Sequence, residues 1–371
     1  MFSRAFLLSC AVLLAAASLL PAQKKNKKKE EITQVLEIPP DPPAAVTVET
    51  ARLEFLVSPL SGKGLLSAQV REAIKSLRNQ ARGGQIVKLR VFVAGTGDLR
   101  RVQAIVSEEF TEKKLPLPAL STILVGLLPG EGSQVIMEAV VVSKKAVNAQ
   151  GLAFLSGMGG LSNEDPDQVL PMLDRAITDL SKATQIAGSY KSDVLRVTCL
   201  LSSLAQISQV RTRLATAFPN AATTAIQAQR AHATSLAECE AVVRLQNAPA
   251  DAVVFLNPSD MAPSPNFSKL VLTKAPQIIL TGTQVAFNSQ ESDIRLAFER
   301  MAKVLDAQKS GMKKVLFSHL YPLSNRLLET ARKIRFDFFD AANPPASTAL
   351  VFEGLPSMDA MLAFELVAVP N

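Results

Sequence analysis

The chain has 371 residues, 48% hydrophobic and 20% charged, enough for two or three compact domains with cores of their own. Aromatic residues make up only 5% and tryptophan is absent, which leaves little material for recognition by aromatic stacking. Much of the formal charge of +7 sits in one run, "KKNKKKEE" (Lys24–Glu31); without it and Arg4 the body is nearly balanced, so the basic isoelectric point argues little for nucleic-acid binding.

The first segment, "MFSRAFLLSCAVLLAAASLLPAQ", has Arg4, an apolar stretch from Ala5 to Leu20, and the small Ala22. It reads as a signal peptide over residues 1–22, cut after Ala22. A membrane anchor is the rival, but the stretch is short for a span and lysines follow at once. Cys10 lies too early in it for lipid attachment. The expected location is periplasmic or extracellular, in a bacterium, with no stable membrane insertion after cleavage. Residues 23–46 form a basic, proline-rich linker: the lysine run is a solvated tail, and "EIPPDPPAAV" (Glu37–Val46) is an extended spacer whose prolines forbid a helix.

From there one pattern occurs three times, over residues 47–146, 147–248 and 249–371. Unit one runs "RLEFLVSPLSGKG", "AQVREAIKSLRNQ", "IVKLRVFVAGTGDL", "RRVQAIVSEEF" and "LPLPALSTILVGLLPGEGSQVIMEAVVV". Unit two has "GLAFLSGMGG", a helix with Ile177, Leu180 and Ile186, "VLRVTCLL", "AQISQVRTRLATAF" and a closing strand. Unit three has "PQIILTGTQVA", a helix with Phe298, Met301, Val304 and Leu305, "KKVLFSHLYPL", "SNRLLETARKIRFDFF" and its own ending. Three- and four-residue apolar steps predict helices, and the β-branched runs predict strands. Runs meeting glycine, at Gly157 and Gly282, predict strands ending in turns. Each unit reads β-α-β-α-β-β, an α+β layer with helices on one sheet face. The closing strands carry Glu138, Glu240 and Glu365. "AVVFL", within the connection at Asn247–Lys269, is a candidate edge strand.

Strand–"SG", helix, "VKLRVFV"-like strand, helix, "P-A-x-[ST]-T" loop and "E-x-E-A"-like strand together resemble the RidA (YjgF) family of enamine/imine deaminases, whose relatives were called L-PSP endoribonucleases. The resemblance covers nearly everything after the spacer, three times over, and unit two matches best. It implies a chorismate-mutase-like fold in each unit and ligand clefts between units. Because family members are usually homotrimers, it also implies that one monomeric chain folds as an intramolecular pseudo-trimer. The physical logic agrees, since a sheet covered on one face must bury the other, and tethering makes that association intramolecular. Three independent beads are the alternative.

The family's "P-A-R-[ST]" arginine grips a substrate carboxylate with two parallel hydrogen bonds. Leu120, Ala222 and Ala346 stand in its place, so the resemblance implies lost carboxylate clamps. The first glutamate of "E-x-E-A", which would orient or activate water, is kept in unit two as Glu238 and replaced by Ile136 and Ala363. Glu238 and Glu240 should share a strand face, with Cys239 opposite. The family tyrosine has one counterpart, Phe267, in "P-N-F-S". Gly157 and Gly282 are possible cleft residues or simple turn glycines. A lone strand glutamate is also often a surface or ion-paired residue. Arg230 is a possible substitute guanidinium, with Arg196 and Arg90 as weaker ones. The family's strand order implies that Cys199 and Cys239 adjoin and could form a disulfide. No CxxC pairing occurs and His232 and His319 lie far apart, so neither a metal nor another cofactor is expected.

Two functions follow. One is an exported, catalytically degenerate triple-unit protein that binds a small metabolite or serves as a scaffold. The other is an enamine/imine deaminase acting at a single cleft around Glu238. Specific nucleic-acid binding ranks last, because it rests on a family name and the tail alone.

Overall fold

A computed structural model describes residues 39–95 and 99–371; the leader and the lysine run lie outside the described residues. The spacer leads into β1 (Ala45–Glu49) and β2 (Leu53–Val57), followed by α1 (Leu66–Gln80), β3 (Gln85–Val93), α2 (Leu99–Glu112), β4 (Ala119–Leu124) and β5 (Val135–Val142). Next come β6 (Leu152–Leu161), α3 (Leu170–Ile186), β7 (Val194–Leu201), α4 (Ile207–Ala217), β8 (Ala222–Gln227) and β9 (Leu236–Arg244). The connection holds β10 (Val253–Leu256) and β11 (Leu270–Thr273). The chain ends with β12 (Gln277–Thr281), β13 (Gln284–Phe287), α5 (Glu291–Ala307), β14 (Val315–Pro322), α6 (Asn325–Ile334), β15 (Ala346–Ala349) and β16 (Ala360–Ala368).

The architecture is α+β, and its sheets share one strand order: β2-β5-β3-β4, β6-β9-β7-β8, and β12 with β13, then β16-β14-β15. The last pair of each sheet is parallel and joined through a helix, as a parallel connection requires. On the helix-covered faces the periodic residues pack as their spacing predicts. Val70, Ala73, Ile74 and Leu77 of α1, Leu173, Ala176 and Leu180 of α3, and Ala297, Phe298, Met301 and Leu305 of α5 are all buried. Each large side chain contributes roughly 1.5–3 kcal/mol by leaving water. Ile177 and Ile186 lie at the rim of α3, and Ile186 is 38% exposed.

Strand pairing crosses the expected unit boundaries in two places. β1, read as linker and the start of unit one, pairs with β12 from Ala45↔Thr281 to Glu49↔Gln277. β10 and β11, assigned to unit three, extend the second sheet, β11 pairing with β6. Both additions cover a sheet edge whose backbone groups would otherwise lack partners. The glycines also behave differently from expectation. Gly157 lies inside β6 at a register shift between Leu155 and Met158, so the strand passes through it as a bulge. Gly282 separates β12 from β13, and both strands pair with β16.

The inner sheet faces meet in layers. Val87, Val140, Phe154, Val242, Phe317 and Val367 belong to one apolar cluster. Phe92, Ile136, Leu200, Tyr321 and Ala363 belong to another. Between the two clusters, on the same strands, stand Arg90, Glu138, Thr198, Glu240, His319 and Glu365. Contacts between sheets run in a cycle, with β2 against β8, β6 against β15 and β12 against β4.

Candidate functional site

Two sites gather the ionisable groups. The first is the buried junction between the inner sheet faces. Glu138, Glu240 and Glu365 sit opposite Arg90, Thr198 and His319 on neighbouring strands. Arg90 donates from Nε to Glu138 at 2.8 Å and from Nη2 to Glu138, to Glu240 at 2.9 Å and to Thr198 at 3.0 Å. Thr198 donates to the other Glu138 oxygen at 2.6 Å, and Arg196 reaches Glu240 at 3.1 Å. Lys88 donates to Ser121, the Thr281 carbonyl and Glu365, and Tyr321 donates to Glu365 at 2.9 Å. His319 Nε2 lies 2.6 Å from Glu240 and also contacts Arg90 Nη1.

Burial alone would raise these carboxyls, but the neighbouring cations outweigh it. Arg90 and Arg196 hold Glu138 below its usual value; His319, Arg90 and Arg196 hold Glu240 well below; Lys88 leads the set that depresses Glu365. Burial lowers His319 and Lys88 despite their carboxylate neighbours. Three carboxylates thus gather around Lys88, Arg90 and Arg196. The enclosed cavity is about 40 Å³, lined by Phe55, Arg196 and the junction charges among others. That is room for a few waters and too little for a metabolite.

The second site is the region around Glu238, a partly buried residue of β9. This residue occupies the position filled by Ile136 and Ala363 in the other closing strands: Phe92 faces Ile136, Leu200 faces Glu238 and Tyr321 faces Ala363. Gly157 makes room for it, since a Cβ there would fall 2.1 Å from Glu238 Oε1. Burial, then the charge of Glu240, pushes the Glu238 carboxyl up to about 7, with Arg332 and Lys269 pulling the other way. Lys269 Nζ lies 4.9 Å from the ring centre of Phe267. β15 packs against β6 here. Ser156 Oγ accepts from the Ser347 N–H at 2.8 Å and donates to the Ser268 carbonyl at 2.6 Å. Gly157, Glu238 and Phe267 are thus brought to one region, along with the strand that carries Ala346.

The strand register revises the arginine positions. Arg90 faces Ser121, Thr198 faces Thr224 and His319 faces Thr348 across the parallel pairs. One residue earlier stand Leu120, Thr223 and Ser347; one earlier again stand Ala119, Ala222 and Ala346. Ala222 and Ala346 therefore match Ala119, and the counterparts of Leu120 are Thr223 and Ser347. The repeated Ala-Ala-Thr-Thr of unit two fits either frame by sequence, and only pairing decides. No arginine occupies these positions in either frame. Nor does Leu120 fill a cleft: it packs under α1 and α2, while its carbonyl accepts from Thr283 next to Gly282.

The proposed substitute arginines lie elsewhere. Arg90 and Arg196 belong to the junction, where the closing-strand glutamates take up their charge. Arg230 is exposed in the turn after β8, its backbone N–H bonded to Glu353, and among the described residues no hydrogen bond or ion pair links it to Glu238. Cys199 and Cys239 face each other on β7 and β9 and are joined by a disulfide on the helix side, opposite Glu240. Sequence reasoning missed Lys88, Ser121, His319 and Tyr321 at the junction and Lys269, Arg332 and Arg335 at the cleft. Only the first group had a signal: polar residues at alternate positions in otherwise apolar strands. Among the described residues no group of His, Cys, Asp or Glu is placed to hold a metal, and no helix is long and apolar enough to cross a membrane.

No family model matches the chain, and no curated protein does. Among solved structures, a protein of unknown function of the Rid family from Yersinia pestis is similar at 19% identity, covering 32% of this chain and 99% of its own, with a TM-score of 0.30. A member of the YjgF family from Neisseria meningitidis is similar at 14% identity, covering 32% of this chain and 95% of its own, with a TM-score of 0.24.

Proposed function

We propose that the chain is an exported, RidA-like triple-unit protein whose units close into an intramolecular pseudo-trimer, and that it binds a small metabolite at the Glu238 cleft without turning it over. The observation that carries this reading is the asymmetry of one rung: Ile136 and Ala363 are apolar, and Glu238 alone is a carboxyl, with a pKa of about 7. Support for the closed trio comes from the repeated strand order and the cyclic contacts of the inner faces. The missing arginines at Leu120, Thr223 and Ser347 support loss of turnover. Export rests on the leader and accords with a disulfide, which an oxidising compartment favours.

Hydrolysis of an enamine or imine at the same cleft is the second reading, favoured by that carboxyl, because a base with a pKa near the working pH can accept a proton from water. Incubating the full chain with 2-aminoacrylate, beside Glu238→Ala, separates them. No turnover by either protein is expected; turnover abolished by the substitution would establish the hydrolase and overturn the binder. Mass spectrometry of the secreted chain without reductant should show cleavage after Ala22 and no free thiol.

A further inference from the structure

The first strands of the three sheets are equivalent, and two of them have gained a neighbour. Counted from the closing glutamates, Phe55 of β2 corresponds to Phe154 of β6 and to Leu280 of β12. Phe154 pairs with Val271 of β11, and Leu280 with Val46 of β1. Among the described residues no strand pairs with the outer edge of β2. Arg52 and Ser58 bond to Ser143 and Met137, so by antiparallel alternation Leu53, Phe55 and Val57 turn their backbone groups outward. Asn148 donates to the Leu53 carbonyl at 2.7 Å, and Gln80 to the Val57 carbonyl at 3.3 Å. The N–H and C=O of Phe55 and the N–H of Val57 have no hydrogen-bond partner among the described residues. Two residues on from Phe154 and Leu280, the matching N–H groups of Ser156 and Gly282 donate to the Lys269 and Ala44 carbonyls.

The same edge carries a pocket. Glu54 and Leu56, on either side of Phe55, are partly exposed, whereas their counterparts Ala153, Leu155 and Ile279 are completely buried. In unit two the covering side chains are Leu272 and Leu270 of β11, which pair with Ala153 and Leu155. In unit one Glu54 and Leu56 instead line an open pocket of about 670 Å³, together with Gln80 and Arg82 at the end of α1 and Lys144 and Lys145 after β5. Arg82, Lys144 and Lys145 are exposed and have no ion pair among the described residues, so the walls carry an excess of positive charge. We propose that β2 accepts an extended acidic peptide segment of a partner protein, which adds a strand to the first sheet antiparallel to β2, as β11 does to β6. The backbone of that segment bonds to Phe55 and Val57, one of its side chains covers Leu56, and its carboxylates meet Arg82, Lys144 and Lys145. The surface lies in unit one and is independent of Glu238.

The test is titration of the full chain with a capped peptide of alternating glutamate and valine, beside one of alternating lysine and valine, read by amide chemical shifts and hydrogen exchange. The acidic peptide should slow exchange at Phe55 and Val57 and bind about tenfold more tightly than the basic one, the scale of a few exposed ion pairs acting together. Raising the salt to about 0.5 M should narrow that preference. Lys144→Glu combined with Lys145→Glu should erase it, and because both side chains are exposed the fold is kept. The acidic peptide N-methylated at alternate residues, unable to bond along one edge, should lose the protection. Equal binding of the two peptides would overturn the selection by charge, and binding of neither would overturn the docking site. Shifts at Lys144 and Lys145 without protection at Phe55 and Val57 would overturn strand addition. Should the chain dimerise by itself with both amides protected, a second copy would be the occupant and the peptide proposal would fall.

Discussion

The junction and the Glu238 cleft use the same residue types to opposite ends. At the junction every carboxylate contacts a cation, and all are pulled below their usual range. In the cleft, two residues along the same strand from Glu240, a carboxyl is pushed up to about 7 and a guanidinium is buried without a counter-ion. Balanced charge in a small enclosed space fixes the alignment of three sheets, because a slip of any strand would strand a charge in the interior. Unbalanced charge around Glu238 leaves buried polar groups short of partners. The difference teaches that titratable density alone does not mark a functional site; the unmet demand does.

Removing the central cation should have the largest effect. Arg90→Leu leaves Glu138 and Glu240 short of a partner and should cost about 3–5 kcal/mol, read by urea unfolding at pH 7. The wild-type junction should also fail in acid. Its carboxyls are depressed in the folded state, so their contribution is complete above the unfolded value near 4.3 and is lost as pH falls through the folded values. His319, lowered by burial, adds to the loss once pH drops below about 6.5, where the unfolded imidazole takes up a proton first. An Arg90→Leu protein as stable as wild type would mean that the junction orders nothing.

The cleft should respond to pH with the opposite sign. A carboxyl raised from 4.5 to about 7 favours the folded state only while protonated, so that contribution is present below 4.5 and lost as pH rises through 7. Glu238→Gln, a neutral mimic of the protonated acid, should therefore stabilise the chain at pH 8.5 by on the order of 2–3 kcal/mol and leave it unchanged at pH 4. Thermal unfolding at the two pH values measures this directly. Equal stability of variant and wild type at pH 8.5 would place Glu238 in water and end its special status.

The fold was more legible than the site. Apolar periodicity places α1, α3 and α5, and the β-branched runs place β3 and β7, because local pattern and tertiary burial agree there. Three glutamates at the ends of the repeats point to equivalent rungs, although their convergence with Lys88, Arg90 and His319 is a property of how sheets meet. The edge strand in "AVVFL" was legible and is β10, but which sheets the edge additions join was not: β1 joins the third sheet and β11 the second because those edges lack partners. The Ala-Ala-Thr-Thr frame could not be chosen without the ladder. Arg335 was invisible because it sits in a helix-terminal "KIRFDFF" stretch whose arginine looks like any surface charge; only its 2% exposure reveals it.

The smallest effect on stability should come from Gly157→Ala, which is also the sharpest probe of the cleft. Gly157 is absent from the left-handed backbone region, so alanine meets no conformational penalty there and gains a few tenths of a kcal/mol from a less flexible unfolded chain. Its methyl group would lie 2.1 Å from Oε1 and 2.8 Å from Cγ of Glu238, which forces that side chain to turn away. Once turned outward the carboxyl regains water, and its pKa should fall toward the ordinary value. Gly157→Ala should therefore abolish the extra stability that Glu238→Gln confers at pH 8.5, a non-additivity visible in a double-mutant cycle. Full additivity would show that Glu238 never depended on the space beside Gly157, and that its environment is set by the junction behind it.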